Sequence, residues 1–421
     1  GTNNSSISNC YNTGYISGGD AIGALVGEIS STVPVNCYYL ATNIDAVGNE
    51  MYTPTSAESK TADEFASGEV AVLLQKNNSE NVWGQDLKEN ESDDEYDTSP
   101  VLAGKMVYAT APCASGYSNT PLTNTVKAHN FKNGFCEDCG ALDEPLLNSD
   151  SFYEIENAGQ LYWFSMQVRH GDTDINGKLI SDITVNEKVL SGDNLIADTS
   201  DLREWVPIGN TYNQFSGEFN GNGKLVSGLY IDRPDLKYMG LFSCVKNTDI
   251  YGITVYDSYI SGDTYVGGLI GYSNYANISD CYNRSVVKGE NAGGIVGSSN
   301  GNTQIKNCGN YGTIRGNRYL GGIAGHSYVE ISNCYNRGDV KALYTYDSYA
   351  GGIVGNCYGK VTDCFNTGYI SGTESSSCIG GIAGHVTANY IVQRSYNAGY
   401  IYGSNYFFSG LWCKKICNRA C

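Results

Sequence analysis

Basic residues are few in this 421-residue chain: Lys and Arg total 26 against 44 Asp and Glu, a formal charge of −18. That balance argues against nucleic acid, whose phosphates need a cationic partner, and against an anionic membrane surface. Proline (8) and methionine (4) are scarce, and charged residues are only 17% of the chain, too few for a solvated disordered polyelectrolyte. No run of 18 apolar residues occurs, so no membrane insertion is expected. The opening GTNNSSISNC has no starting Met, basic n-region or apolar h-region. What abounds is glycine (52) and tyrosine (34), and the length implies more than one folding unit.

The glycines recur with a period. GGLIG at 267, GGIVG at 293, GGIAG at 321, GGIVG at 351 and GGIAG at 380 are separated by 26, 28, 30 and 29 residues. A second motif follows each: ISDCYN, IKNCGN, ISNCYN, VTDCFN and VQRSYN, anchored at Cys281, Cys308, Cys334, Cys364 and Ser395. Another copy, ISNCYNTGYISG, opens the chain with Cys10 at the anchor and GALVG at 23. Four residues after the anchor stands Gly, with Ser285 the exception; six after stands Ile or Val; eight after stands Gly or Ala. A fixed block followed by a stretch of free length is one coil of a solenoid, in which strands stack and one flank varies.

The fixed segments are rich in Ile, Val, Tyr and Thr, punctuated by Gly and Asn, and lack a 3.6-residue pattern, so they read as strands and sharp turns. The expected fold class is all-β, a parallel β-helix solenoid of Gly-rich repeats of about 26–30 residues with short helical caps and a small irregular Cys/His segment. The Ile at anchor minus three and the Cys are an odd number of residues apart. Both point inward only if the Asn or Asp between them sits at a left-handed bend. The Cys column then reads as a buried ladder of small apolar side chains, and parallel neighbours roughly 4.8 Å apart do not meet disulfide geometry.

The expected organisation places the final coils of an upstream β-helix in residues 1–50, a helix-plus-strand cap in 51–110 and a small Cys/His segment or linker in 111–148. A cap helix and turn follow in 149–182, the second β-helix in 183–412, and an aberrant or truncated tail, CKKICNRAC, in 413–421. Residue 1 falls in mid-repeat, so further coils are expected before it. Thr61-Ala62-Asp63-Glu64 is a capping box opening a helix to about Gln75, striped by Phe65, Val72 and Leu73 and weakened by Gly68. Asn157 caps another helix, with Gln160 three residues on, Leu161, Phe164 and Val168 on one face, and Gly171 at its end.

The Gly-Gly-Ile-Xaa-Gly and Cys-Tyr-Asn pairs, KTADEFASGEVAVLL followed by WGQD, and WVPIGN with FSGEFNGNGKLVSGLYI resemble the GLUG-repeat surface proteins of anaerobic Gram-positive bacteria. The resemblance covers nearly the whole chain and implies a secreted or wall-attached multidomain protein built from tandem β-helices. Similar repeats accompany a zinc metallopeptidase module in immunoglobulin A-cleaving proteases. The resemblance brings no such activity here, because none of His129, His170, His326 and His385 stands in an H-E-x-x-H.

Cys136-Glu137-Asp138-Cys139, preceded by His129 and Cys113, has the residue types of a structural tetrahedral zinc site, which leaves no open position for catalysis. A local disulfide or free thiols are the rival readings. Asp172-Thr173-Asp174-Ile175-Asn176-Gly177 reproduces the first half of an EF-hand calcium loop, with Ile183 where the bidentate carboxylate belongs. Asp172, Asp174 and Asn176 are thus calcium candidates against the alternative of a polar turn. No cofactor is required. GSSNG at 297 matches G-x-S-x-G but feeds no helix, and NGNGK at 220 lacks P-loop spacing.

With no catalytic residue assigned, the expected role is a non-enzymatic extracellular repeat protein, an adhesin or surface stalk displaying variable loops to glycans or proteins of a host or neighbouring cell. Candidate binders are Tyr344, Tyr346 and Tyr349 in the longest insertion, and the column Tyr282, Tyr335, Phe365 and Tyr396, interrupted by Gly309. The alternatives are a carbohydrate-active β-helix enzyme, lyase or hydrolase, and a non-catalytic repeat region of a larger secreted peptidase. An enzyme needs carboxylates, or a carboxylate with Arg or Lys, converging in adjacent coils. The acids of the bend column, Asp280 and Asp363, are three coils apart.

Overall fold

In a computed structural model of the chain the described residues are 7–18, 22–29, 34–41, 46–50, 57–76, 78, 80–88, 96–109, 116–119, 129–343, 348–372, 377–387 and 391–403. They divide into two compact units, Gly1–Asp143 and Glu144–Cys421.

The second unit is a parallel β-solenoid whose strands stack coil on coil in the register of the sequence repeat. One column runs Ile278, Ile305, Ile331, Val361, Val392. A second runs Val287, Ile314, Val340, Ile370, Ile401, and a third Val296, Ala324, Val354, Ala383. Their side chains are buried as far as Ile370 and make the core. The bend anticipated before each anchor is present: Asp280, Asn307, Asn333, Asp363 and Arg394 all have φ between 49° and 56°. That left-handed step turns the Ile at minus three and the Cys to the same side. Arg394, the one long side chain in the column, is tied to Asp363 by paired hydrogen bonds of 2.7 and 2.6 Å.

The anchor cysteines are buried and unbridged, but they are not merely apolar fillers. Each thiol donates to the carbonyl two residues back, as Cys334 Sγ does to Ser332 at 3.2 Å. Cys334 and Cys364 also accept from the anchor amide of the preceding coil: Cys308 N–H to Cys334 Sγ and Cys334 N–H to Cys364 Sγ, both 3.4 Å. Ser395 continues both contacts with oxygen, accepting from Cys364 N at 3.1 Å and donating to Gln393 O at 3.0 Å. The expectation of a purely apolar column is corrected on that ground.

Two residues after each anchor an asparagine builds a second ladder that sequence reasoning passed over. Asn283, Asn310, Asn336, Asn366 and Asn397 are linked amide to amide at 2.6 to 2.8 Å. Each Nδ2 also donates to the carbonyl two residues on, as Asn336 does to Gly338 at 2.8 Å. The ladder explains the Gly-Gly pair. A Cβ on the second glycine of each pair would lie 2.3 to 2.7 Å from the amide carbon of the ladder asparagine that follows, as at Gly322 against Asn336 and Gly294 against Asn310. The two motifs co-occur because one is the seat of the other.

The sheet starts earlier than residue 183. Leu146–Leu147 and Phe152–Ile155 belong to it, and Phe152–Ile155 pairs in parallel with Asn176–Leu179. The helix Ala158–His170 is therefore spliced between two strands of the sheet. Asn157 accepts from Gln160 N at 2.9 Å, Gln160 reaches back to Glu156 N, and Leu161, Phe164 and Val168 are fully buried. Phe164 meets Phe215 and Phe219 edge-on, with Phe242 against both of the latter. A hairpin of Leu190–Ser191 and Asn194–Leu195 lays Leu190 and Leu195 against Tyr259 and Val286 on the outer surface.

In the first unit Tyr11–Asn12, Tyr38–Leu40 and Glu58–Lys60 pair in parallel. Cys37, preceded by Asn36 at φ 51°, is a further anchor copy 27 residues after Cys10, and the two sulfurs are 3.1 Å apart. The capping box of Thr61 and Glu64 is present, but it opens a short helix, Ala62–Ala66, and a separate one spans Glu69–Gln75. The break falls at Gly68, whose φ of +93° no ordinary residue adopts comfortably and whose missing Cβ leaves room for Leu87 and Val107. The break rotates the stripe: Phe65, Val70, Ala71 and Leu74 are buried, and Val72 and Leu73 are only partly so.

Candidate functional site

The repeat fixes where aromatic side chains leave the coil. Tyr282, Gly309, Tyr335, Phe365 and Tyr396 occupy one register column. Tyr335 and Phe365 stack at 5.3 Å, and Phe365 and Tyr396 at 5.5 Å, each pair within 10° of parallel. In this stack the faces of Phe365 are covered on both sides, while Tyr396 is 53% exposed. At the gap, Tyr335 leans over Gly309 toward Tyr282 and shares a 2.9 Å hydrogen bond with the Tyr311 hydroxyl.

Tyr344 and Tyr346 lie outside the described residues. Tyr349 stands at a different place, the corner between the strand ending in Gly-Gly and the strand that follows. There Tyr319 and Tyr349 are register partners, and across the corner the column Tyr272, Ser298, His326, Asn356, His385 runs beside them. Ring centroids lie 5.1 Å apart for Tyr319–His326 and for Tyr349–His385, and 5.6 Å for Tyr319–Tyr349. Tyr328, 45% exposed, stacks on Tyr358 at 4.8 Å and meets His326 at 4.8 Å. Burial, with Arg318 adding to it, lowers the His326 pKa to about 4, and burial also lowers that of His385. Both imidazoles are neutral near pH 7; His385 Nδ1 is bonded to Asn356 Oδ1 at 2.9 Å, and His326 Nε2 is buried. The sequence carried a signal for this corner, since both histidines follow Gly-Gly-Ile-Ala-Gly.

Beside the corner a cleft of about 550 Å³ is lined by Pro234, Ser261, Asp263, Lys288, Glu290 and Arg318, among others. Asp263 Oδ2 and Glu290 Oε2, from adjacent coils, lie 3.0 and 3.1 Å from the Thr264 hydroxyl. Arg318 stands 3.7 Å from Glu290 and packs over Tyr319.

Two of the three calcium candidates, Asp174 and Asn176, share one recess. Asn176 opens the strand Asn176–Leu179, and its Oδ1 is occupied by Glu218 N–H at 2.8 Å. Gly177 is dictated by packing, since a Cβ there would meet the Phe219 ring at 2.7 Å. Asp174 and Asn176 line a polar recess with Glu218 and Asp249, which Asp172 does not join. Among the described residues one set of three metal-ligating side chains converges: His129, Cys136 and Cys139, whose ligand atoms all lie within 4.8 Å of one another. Cys113 lies outside the described residues.

These features define a glycine-rich parallel β-solenoid with aromatic and polar columns on its outer surface. Residues 262–287 match the family model of the GLUG motif. A Gly-rich membrane protein of Evansella cellulosilytica, so named provisionally, is 36% identical over 80 residues, covering 18% of this chain and 9% of that protein. Halomucin of Haloquadratum walsbyi is 33% identical over 102 residues, 24% of this chain and 1% of its own length. The chain thus spans under a tenth of the curated relatives it matches. A crystal structure provisionally assigned as an immunoglobulin A1 protease of Bacteroides ovatus superposes with a TM-score of 0.50 at 19% identity, over 65% of this chain and 83% of that one. At that identity the likeness speaks for the fold alone. No helix among the described residues is long and apolar enough to cross a membrane.

Proposed function

We propose that this chain is a non-enzymatic repeat region of a larger extracellular protein, secreted or held at the cell surface, that presents its corner flank to glycans or proteins of a neighbouring or host cell. The observation that carries the reading is the gathering of Tyr319, His326, Tyr328, Tyr349, Tyr358 and His385 across three adjacent coils. Rings on a rigid scaffold lose little entropy on binding, and the tyrosine hydroxyls among them suit hydroxyl-bearing ligands. A glycan and host-protein array, run with the native chain and a Tyr328→Ser/Tyr349→Ser variant, tests this. Binding lost in the variant is the expected result. Equal binding by both forms removes the corner from the reading, and no binding by either leaves a spacer.

A second reading rests on the cleft, where Asp263, Glu290 and Arg318 meet the requirement for acidic groups converging from adjacent coils. A polysaccharide-cleaving enzyme would use Glu290 and Asp263 as acid and base. It ranks second because Glu290 is already engaged, by Arg318 at 3.7 Å and by the Thr264 hydroxyl at 3.1 Å. Cleavage of a polysaccharide panel that Glu290→Gln abolishes would promote it; an inert native chain removes it.

A further inference from the structure

We propose that His129, Cys136 and Cys139 hold one zinc ion that clips the hairpin of Phe131–Lys132 and Phe135–Cys136. The inference is independent of what the solenoid binds. His129 Nδ1 lies 3.5 Å from Cys139 Sγ, and the three ligand atoms fall within 4.8 Å of one another. A tetrahedral zinc, with bonds of about 2.0 Å to nitrogen and 2.3 Å to sulfur, spaces its ligands by roughly 3.5–3.8 Å. An ion therefore enters with a contraction of about 1 Å or less on that geometry. Softness selects the metal, because thiolates and imidazole favour zinc over calcium or magnesium.

The backbone is shaped for the purpose. Asn133 (φ 49°) and Gly134 (φ 78°) turn the hairpin, and Gly140 (φ 70°) reverses the chain after the second cysteine. Cys136 N–H donates to Ala141 O at 2.8 Å and Gly140 N–H to Cys136 O at 2.9 Å, which folds Cys-x-x-Cys into a tight turn. Glu137 N–H donates to Asn130 O at 3.0 Å, bringing the His129 arm alongside. The His129 ring stacks on Phe131 at 5.2 Å, which fixes its orientation.

The strongest argument is what the segment lacks. Between residues 129 and 144 only Gly134 and Cys136 are buried, and Phe131 is 39% exposed. A hairpin with no apolar core does not hold its shape in water without a staple. A Cys136–Cys139 disulfide is the competing staple, but it would not account for the imidazole nitrogen beside the sulfur.

The full chain, prepared under reducing conditions with zinc and freed of excess, is expected to retain one equivalent. Cobalt exchange should produce a thiolate-to-metal charge-transfer band. Cys136→Ser/Cys139→Ser should lose both metal and band. Chelation should speed amide exchange in 129–143 and leave the solenoid amides unchanged, which separates loss of the clip from misfolding. Unchanged zinc content in the double variant, or a Cys136–Cys139 disulfide in protein isolated without oxygen, overturns the proposal.

Discussion

Between Phe152 and Gly262 the solenoid interior is filled by large rings, Phe164, Phe215, Phe219 and Phe242, meeting at centroid distances of 5.2 to 6.4 Å. Between Tyr282 and Tyr402 the same space is filled by Ile and Val columns bordered by hydrogen-bonded Cys and Asn ladders. Rings of this size pack by unlike shapes fitting together, so each early coil is different and shows no repeat. A ladder works only when each rung has the same donor and acceptor at the same height. Repetition in the sequence is therefore a consequence of ladder chemistry, and its absence marks the coils held by packing.

The contrast can be broken most forcefully at Phe219. Phe219→Ala should cost about 3–5 kcal/mol, as loss of a buried ring does. Amide exchange should rise first in Asn176–Leu179 and Asp249–Gly262, the strands paired with its own. An equal rise in Val340–Ala342 would show that both regions open as one and end the distinction.

A smaller effect is expected from the ladder. Asn336→Ala leaves Asn310 Nδ2 and the Gly338 carbonyl each short of a partner, for about 2–3 kcal/mol, with opening confined to adjacent coils. Hydrogen exchange read coil by coil would show this; loss spread evenly from Phe152 to Ile401 would contradict it.

Cys334 sharpens the point further. Cys334→Ser keeps the bridge to Cys308 N–H, as Ser395 does in its own coil, and should cost less than Cys334→Ala, which orphans that amide for about 1–2 kcal/mol. Denaturant melts that rank Ala at or above Ser would return the column to simple space-filling.

The smallest effect concerns pH. The His326 pKa is lowered to about 4 in the fold against an ordinary value near 6.5, so the folded state favours the neutral ring. Its contribution is complete above pH 6.5 and is lost as pH falls from there through about 4. The stability difference between native protein and His326→Gln should shrink between pH 7 and pH 4, and a constant difference would mean the ring is not shielded from water.

The coil length, the left-handed bend and the inward Cys were legible because each leaves a periodic mark: a fixed spacing, an Asn or Asp before the anchor, a small side chain at it. The His326–His385 column had the same kind of mark and went unused, since two histidines 59 positions apart look unrelated until the register aligns their strands. The start of the sheet at Leu146 and the outer hairpin at Leu190–Leu195 left no mark, because each occurs once. The split at Gly68 was signalled by the glycine itself.

By itself the sequence determined the solenoid, its period and which residue types face inward, because identical coils must place identical groups at equal intervals. Only the tertiary structure decided that Phe365 is covered on both faces within its column while Tyr349 joins a histidine-lined corner, and that Asp263 meets Glu290. Those pairings join residues about one coil apart in sequence but neighbours in space, and loop length, not local chemistry, sets which of them come level.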